Sequence, residues 1–124
     1  MRDWIDARDH LVVRNDDAER HQIHQVEGQE LLSPAEVRVL AEGDRMIVLE
    51  VVMPADGASP AHVHDHESVG YVVRGRVRMG LGDDVHDLGP GDGFRHPPGV
   101  EHSMAAVEGN AVWLEIKSPP ARTW

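Results

Sequence analysis

The chain has 124 residues and no cysteine, so a single domain of ordinary size is expected, with neither a disulfide framework nor a thiolate metal site. Its formal net charge is −10 and its lysines and arginines are scattered, which argues against nucleic acid as a partner, because phosphate recognition needs a basic patch. No apolar run approaches the roughly 20 residues of a membrane span, and acidic residues follow the first methionine without an apolar leader, so a cytoplasmic protein with no membrane partner is expected.

Residues 1–29 are polar apart from two apolar islands, Trp4-Ile5 and Leu11-Val12-Val13, and carry the charged run Arg14–Arg20. This composition reads as an N-terminal extension, packed on a barrel edge or a partner subunit with Trp4 and Leu11–Val13 as anchors. Residues 30–124 read as the folded domain. Short helices are expected only at Trp4–Asp9 and Pro34–Leu40. Arg45–Met53 is rich in β-branched and long apolar residues and ends at Pro54-Ala55-Asp56-Gly57. Val69–Val73 is closed by Gly75, and Arg76–Leu81 alternates at period two. Gly82-Asp83-Asp84 reads as a hairpin turn into Val85–Leu88. Further turns follow at Gly89–Asp92 and Pro97–Gly99, and a last strand, Ala111–Lys117, stops at Ser118-Pro119-Pro120. Many short strands at close spacing indicate an all-β sandwich or barrel.

Nine histidines are many for this length. In His62-Val63-His64 two imidazoles stand at i and i+2, which places them on one face of an extended segment where they can grip one metal ion. His102 lies 38 residues after His64, behind a Pro/Gly turn that can bring it back opposite the first pair. His-x-His alone is more often solvated than ligating; the second motif changes that.

Together the two segments resemble the cupin superfamily. Gly57–His64 followed by Tyr71-Val72-Val73-Arg74-Gly75 is similar to the first cupin motif, and Gly91–His102, with Pro97-Pro98-Gly99 before His102, to the second. Fifteen residues separate Gly75 from Gly91, a short spacing seen in compact microbial cupins. The resemblance implies an antiparallel double-stranded β-helix, the jelly-roll barrel. It implies one divalent ion (Zn, Fe, Ni, Mn or Cu) on His62, His64 and His102. An ion on three neutral imidazoles without a carboxylate would keep its full charge, so an anionic or chelating small-molecule ligand is expected, and the barrel is expected to be a homodimer.

Two departures follow. Ser68 stands where the family usually has a carboxylate ligand, with Glu67 one position earlier and so on the opposite face of the strand. Ala106 stands where Asn is frequent. Ser68 is therefore expected beside the metal without binding it, and Ser68, Glu67, His66 or water remain alternatives for the fourth position. Ser68 and Gly70 are both small and expected to face inward, leaving room beside the ion. His66 is expected behind or at the rim of the ligand set, and Met104, sharing the parity of His102, as pocket lining. His96 reads as structural or at the pocket edge.

Trp113, Glu115 and Lys117 share one face of the last strand. Glu115 is either exposed, or paired with an arginine, or functional. The run His62–Gly75 and the segment Leu114–Pro120 resemble a cupin branch that includes ring-opening enzymes of uronate catabolism, where an acid just before a terminal Ser-Pro acts near the metal with an arginine shortly after. That implies a catalytic Glu115 with Arg122 near it; a metal-bound water, Arg122 or Arg95 could each be the partner of the carboxylate. The function expected is a metal-dependent isomerase or lyase on a small polar, carboxylate- or sugar-like metabolite. An iron-dependent dioxygenase and a non-catalytic binding or sensory module are the alternatives.

Overall fold

The structure, a computed structural model, describes residues 3–26 and 28–122. Ten strands follow a 3-10 turn at Asn15–Asp17: β1 Glu19–Val26, β2 Gln29–Glu42, β3 Ile47–Met53, β4 Ala58–His62, β5 Glu67–Arg74, β6 Val77–Leu81, β7 Asp84–Leu88, β8 Gly93–His96, β9 His102–Ala106 and β10 Ala111–Ser118. They form two antiparallel sheets, six-stranded in the order β1-β2-β3-β10-β5-β8 and four-stranded in the order β4-β9-β6-β7. This is the jelly-roll barrel.

The core lies between the sheets and follows the period of two. On β3, Ile47, Leu49, Val51 and Met53 point inward, and on β2 Ala35, Val37 and Val39 do. From the other sheet Val77, Met79, Met104 and Ala106 complete it.

Two expected helices are absent. Pro34–Leu40 lies within β2, because Ala35, Val37 and Val39 alternate with Glu36 and Arg38, and two of the three inward residues are β-branched. Pro34 is tolerated because the β1–β2 register shifts between Ile23 and Gln25, in the stretch facing it. Outside, Arg38 ties Glu36, Glu50 and Asn15 together. Trp4–Asp9 is not helical either: Ile5 makes a parallel bridge with Ala18, and Asp6 accepts hydrogen bonds from the Arg8 backbone and guanidinium.

The boundary expected at residues 29/30 falls inside the β1–β2 hairpin, whose strands pair from Glu19↔Val39 to Val26↔Gln29. Ile23 enters the core from this segment. Among the expected anchors, the Arg20 guanidinium lies 5.4 Å from the Trp4 ring centre and Val13 packs on the core. Leu11 and Val12 are exposed, so the chain's own barrel does not cover them.

Candidate metal centre

The barrel brings the two motifs together by strand pairing. β4 runs antiparallel to β9 with His62 directly opposite His102. His64 lies just past β4, and its carbonyl accepts a hydrogen bond from the Gly99 N–H at 3.0 Å. Gly99 takes φ +74°, a left-handed conformation that suits glycine, so the Pro97-Pro98-Gly99 turn latches the loop carrying His64 to the strand carrying His102. The result is a cluster in which ring nitrogens of His62, His64 and His102 lie within 4.8 Å of one another.

The second nitrogen of each ring is already committed. Nδ1 of His62 lies 2.9 Å from the Pro60 carbonyl, that of His64 3.1 Å from the His66 carbonyl, and that of His102 3.2 Å from the Val100 carbonyl. A carbonyl only accepts, so each Nδ1 carries the proton and each Nε2 keeps its lone pair. Three neutral imidazoles with free Nε2 atoms are a donor set suited to a borderline divalent metal, and the residues therefore fit such an ion.

Two further imidazoles back the cluster. His66 stacks on His64 with ring centres 3.8 Å apart and planes 6° from parallel, and His96 stacks on His102 at 3.9 Å and 13°. His96 is fully buried, with Nδ1 3.4 Å from Ser68 Oγ and Nε2 3.2 Å from Met79 Sδ. Burial pushes His102 down to about 3 and His66 and His96 to about 4, and lowers His64 as well. All four are neutral at pH 7.

These shifts set an acid limit on the metal-free protein. Their folded values lie below the ordinary 6.5, so below pH 6.5 the unfolded chain binds protons that the native cluster refuses. Stability is complete above pH 6.5 and is lost as pH falls toward 4, with a slope of up to about 1.4 kcal/mol per pH unit for each group. Urea midpoints of chelator-treated protein at pH 7, 6 and 5 should fall progressively. A flat profile would refute this.

β10 supplies the remaining polar groups. Its inward residues sit in rows across the six-stranded sheet: Lys117 between Ile47 and Ser68, Glu115 between Leu49 and Gly70, and Trp113 between Val51 and Val72. Glu115 and Lys117 line the same cavity as the three histidines and Met104, about 570 Å³ of space with its open mouth included. The Trp113 indole N–H donates to Glu115 Oε1 at 3.0 Å, and Lys117 Nζ lies 4.0 Å from Glu115 Oε2. Burial alone would raise the Glu115 pKa, but the Lys117 ammonium, the neighbouring His96 and the indole hydrogen bond together outweigh it and hold the carboxyl below its usual value.

Several expected positions differ. Ser68 is fully buried and faces inward, but its hydroxyl is turned to His96, which stands behind His102. Gly70 leaves no free room, because a Cβ there would lie 2.1 Å from Phe94 Cζ and 2.4 Å from the Leu114 carbonyl; the Phe94 ring fills the gap. Gly70→Ala should accordingly cost about 2 kcal/mol or more, read as a lower urea midpoint. Arg95 is exposed on the outer face, 3.2 Å from Glu67. Arg122 pairs with Glu19 and Glu42, joining the C-terminal tail to β1 and β2. Neither arginine lines the cavity, because each has acidic partners elsewhere. The residue that the motif pattern did not single out is Lys117, buried with 4% of its surface exposed. The shared parity of Lys117 with Glu115 was the available signal.

The chain belongs to the cupin family: the cupin domain profile (Cupin_2) matches residues 48–117. An RmlC-like cupin from Shewanella frigidimarina NCIMB 400 shares 20% identity, covering 94% of this chain and 96% of that one, with a TM-score of 0.79. KdgF from Halomonas sp. shares 26% identity, covering 71% of this chain and 80% of its own, with a TM-score of 0.67. The polyketide cyclase RemF from Streptomyces resistomycificus shares 22% over 90% of this chain and 82% of its own, with a TM-score of 0.72. No curated protein matches the sequence.

Proposed function

We propose that this cupin binds one divalent ion on His62, His64 and His102 and moves a proton on a small carboxylate-bearing metabolite, as an isomerase or lyase, with Glu115 as the base. One observation carries the reading: three imidazoles with free Nε2 atoms share a cavity with a half-buried carboxylate held ionised. A bound ion would supply Lewis acidity toward a carbonyl or hydroxyl oxygen of the substrate.

The chain's own groups divide the remaining work. Trp113 fixes Oε1 of Glu115, which leaves Oε2, on the Lys117 side, as the oxygen that takes up and returns the proton. The apolar wall of Val51, Met53 and Met104 excludes water from that transfer. The stacked His66 and His96 hold the ligand rings in place. The sequence likeness to the uronate ring-opening branch, with its acid before a terminal Ser-Pro, supports the role of Glu115. A cytoplasmic homodimer belongs to the same proposal, supported by the exposed apolar stripe Val69, Tyr71 and Val73 on the outer face of β5.

Elemental analysis of protein purified without added metal tests the reading. About one equivalent of zinc, nickel or manganese per chain is expected. Iron together with oxygen uptake would favour the dioxygenase, and failure to retain any divalent metal after reloading would leave a binding module.

A further inference from the structure

The cavity is polar at one end only. Its histidines, Glu115 and Lys117 gather where β10 approaches β4 and β9, and Ser59, the remaining polar lining residue, exchanges hydrogen bonds with the Met104 backbone. Away from that end the cavity lining turns apolar: Val37, Val51 and Trp113 lie in one row across the sheet, and Ala35, Met53 and Ile23 follow. A polyhydroxylated body lying there would lose its water and gain no hydrogen-bond partner, a cost of order 1–3 kcal/mol for each buried hydroxyl.

Charge points the same way. Glu115 and Lys117 cancel, and the surrounding imidazoles are neutral donors, so an ion in the cluster would leave its full charge uncompensated inside the barrel. A lysine this buried is also unusual. It lines the cavity beside Glu115 and the histidines, where a negative group entering past them would meet the ammonium as well as the ion.

Resting on the reading of this cavity as the substrate site, we propose that Lys117 is the anchor for a substrate carboxylate and sets specificity for amphiphilic acids. The ligand class is a small monocarboxylate with an apolar aliphatic or aromatic body, its head at Lys117 and the histidines and its body against Val37, Val51, Met53 and Trp113. Sugar acids are the class this cavity disfavours.

Calorimetric titration of the full-length protein, both zinc-loaded and metal-free, with acetate, hexanoate, hexan-1-ol and galacturonate tests this. Hexanoate should bind about tenfold or more tighter than acetate or galacturonate, since each methylene buried adds favourable transfer. Lys117→Met should weaken hexanoate about tenfold or more while changing hexan-1-ol less than about twofold, and Lys117→Arg should stay within about threefold of the parent. Zinc content should be the same in all three proteins. If Lys117→Met does not fold, Lys117→Gln carries the same expectation. Galacturonate binding tighter than hexanoate, unchanged hexanoate affinity without Lys117, or no hexanoate binding in either metal state would overturn the proposal. The metal-free titrations keep this outcome separate from the proposed function: a protein that takes up no metal but still shows the chain-length and Lys117 dependence would sink only the enzyme reading.

Discussion

Replacing Glu115 by Gln is expected to lower kcat by about 10²–10⁴-fold, the usual contribution of a positioned general base. The amide keeps the shape and can still accept the Trp113 indole hydrogen bond at its carbonyl oxygen, so the cavity should stay intact. It cannot take up a proton at neutral pH. Metal content should be unchanged, because the three imidazoles are held by backbone carbonyls and not by Glu115. Two measurements on one protein sample decide the matter: elemental analysis, and kcat at saturating substrate. A variant that keeps metal and more than about a tenth of parental turnover would remove Glu115 from the chemistry. A variant that loses metal would show instead that the carboxylate belongs to the ion's binding.

His102→Ala should weaken divalent-metal affinity by at least about 10²-fold, measured by competition with a chromophoric chelator. The loss has two sources. One of three nitrogen donors goes, and His96 loses the ring it stacks on at 3.9 Å, so the remaining pair His62 and His64 faces a gap. His86→Ala is the matched comparison, since His86 is exposed on β7 and its removal should leave affinity unchanged. Equal chelator competition by the two variants would show that the ion is held elsewhere.

How much of this was legible in the sequence differs from residue to residue. β3, β5, β6, β7 and β10 were, because each is an alternating or β-branched run closed by Gly or Pro, whereas β4, β8 and β9 were marked only by the turns beside them. The three histidines were too, since His62 and His64 share parity and the Pro97–Gly99 turn announced a reversal before His102. β2 was not: Pro34 and the run of Ala, Glu and Leu look helical, and only the partner strands β1 and β3 make the valines' alternation decisive. The filling of Gly70 by Phe94 also escaped, because it depends on which strand lies beside β5, a fact of sheet order rather than of local pattern. For the same reason Arg122 was misplaced. Its partners Glu19 and Glu42 are about 100 and 80 residues away, and no spacing rule connects them.

β10 carries one last consequence. It is built inside out: the inward file holds Glu115 and Lys117, while Leu114 and Ile116 lie half-buried on the outside. Sliding the strand by a single residue would bury the two aliphatic side chains and release both charges to water, an arrangement that local hydrophobicity prefers. What holds the native alignment is position. β10 is central, bonded along its length to β3 on one side and β5 on the other, with a bulge between Val112 and Trp113 that fits only one alignment with β5. The competing registry is thus excluded by two neighbouring ladders acting together. Laboratory selection for heat resistance alone would be drawn to apolar residues at 115 and 117, reaching a firmer barrel that had lost its charged pair.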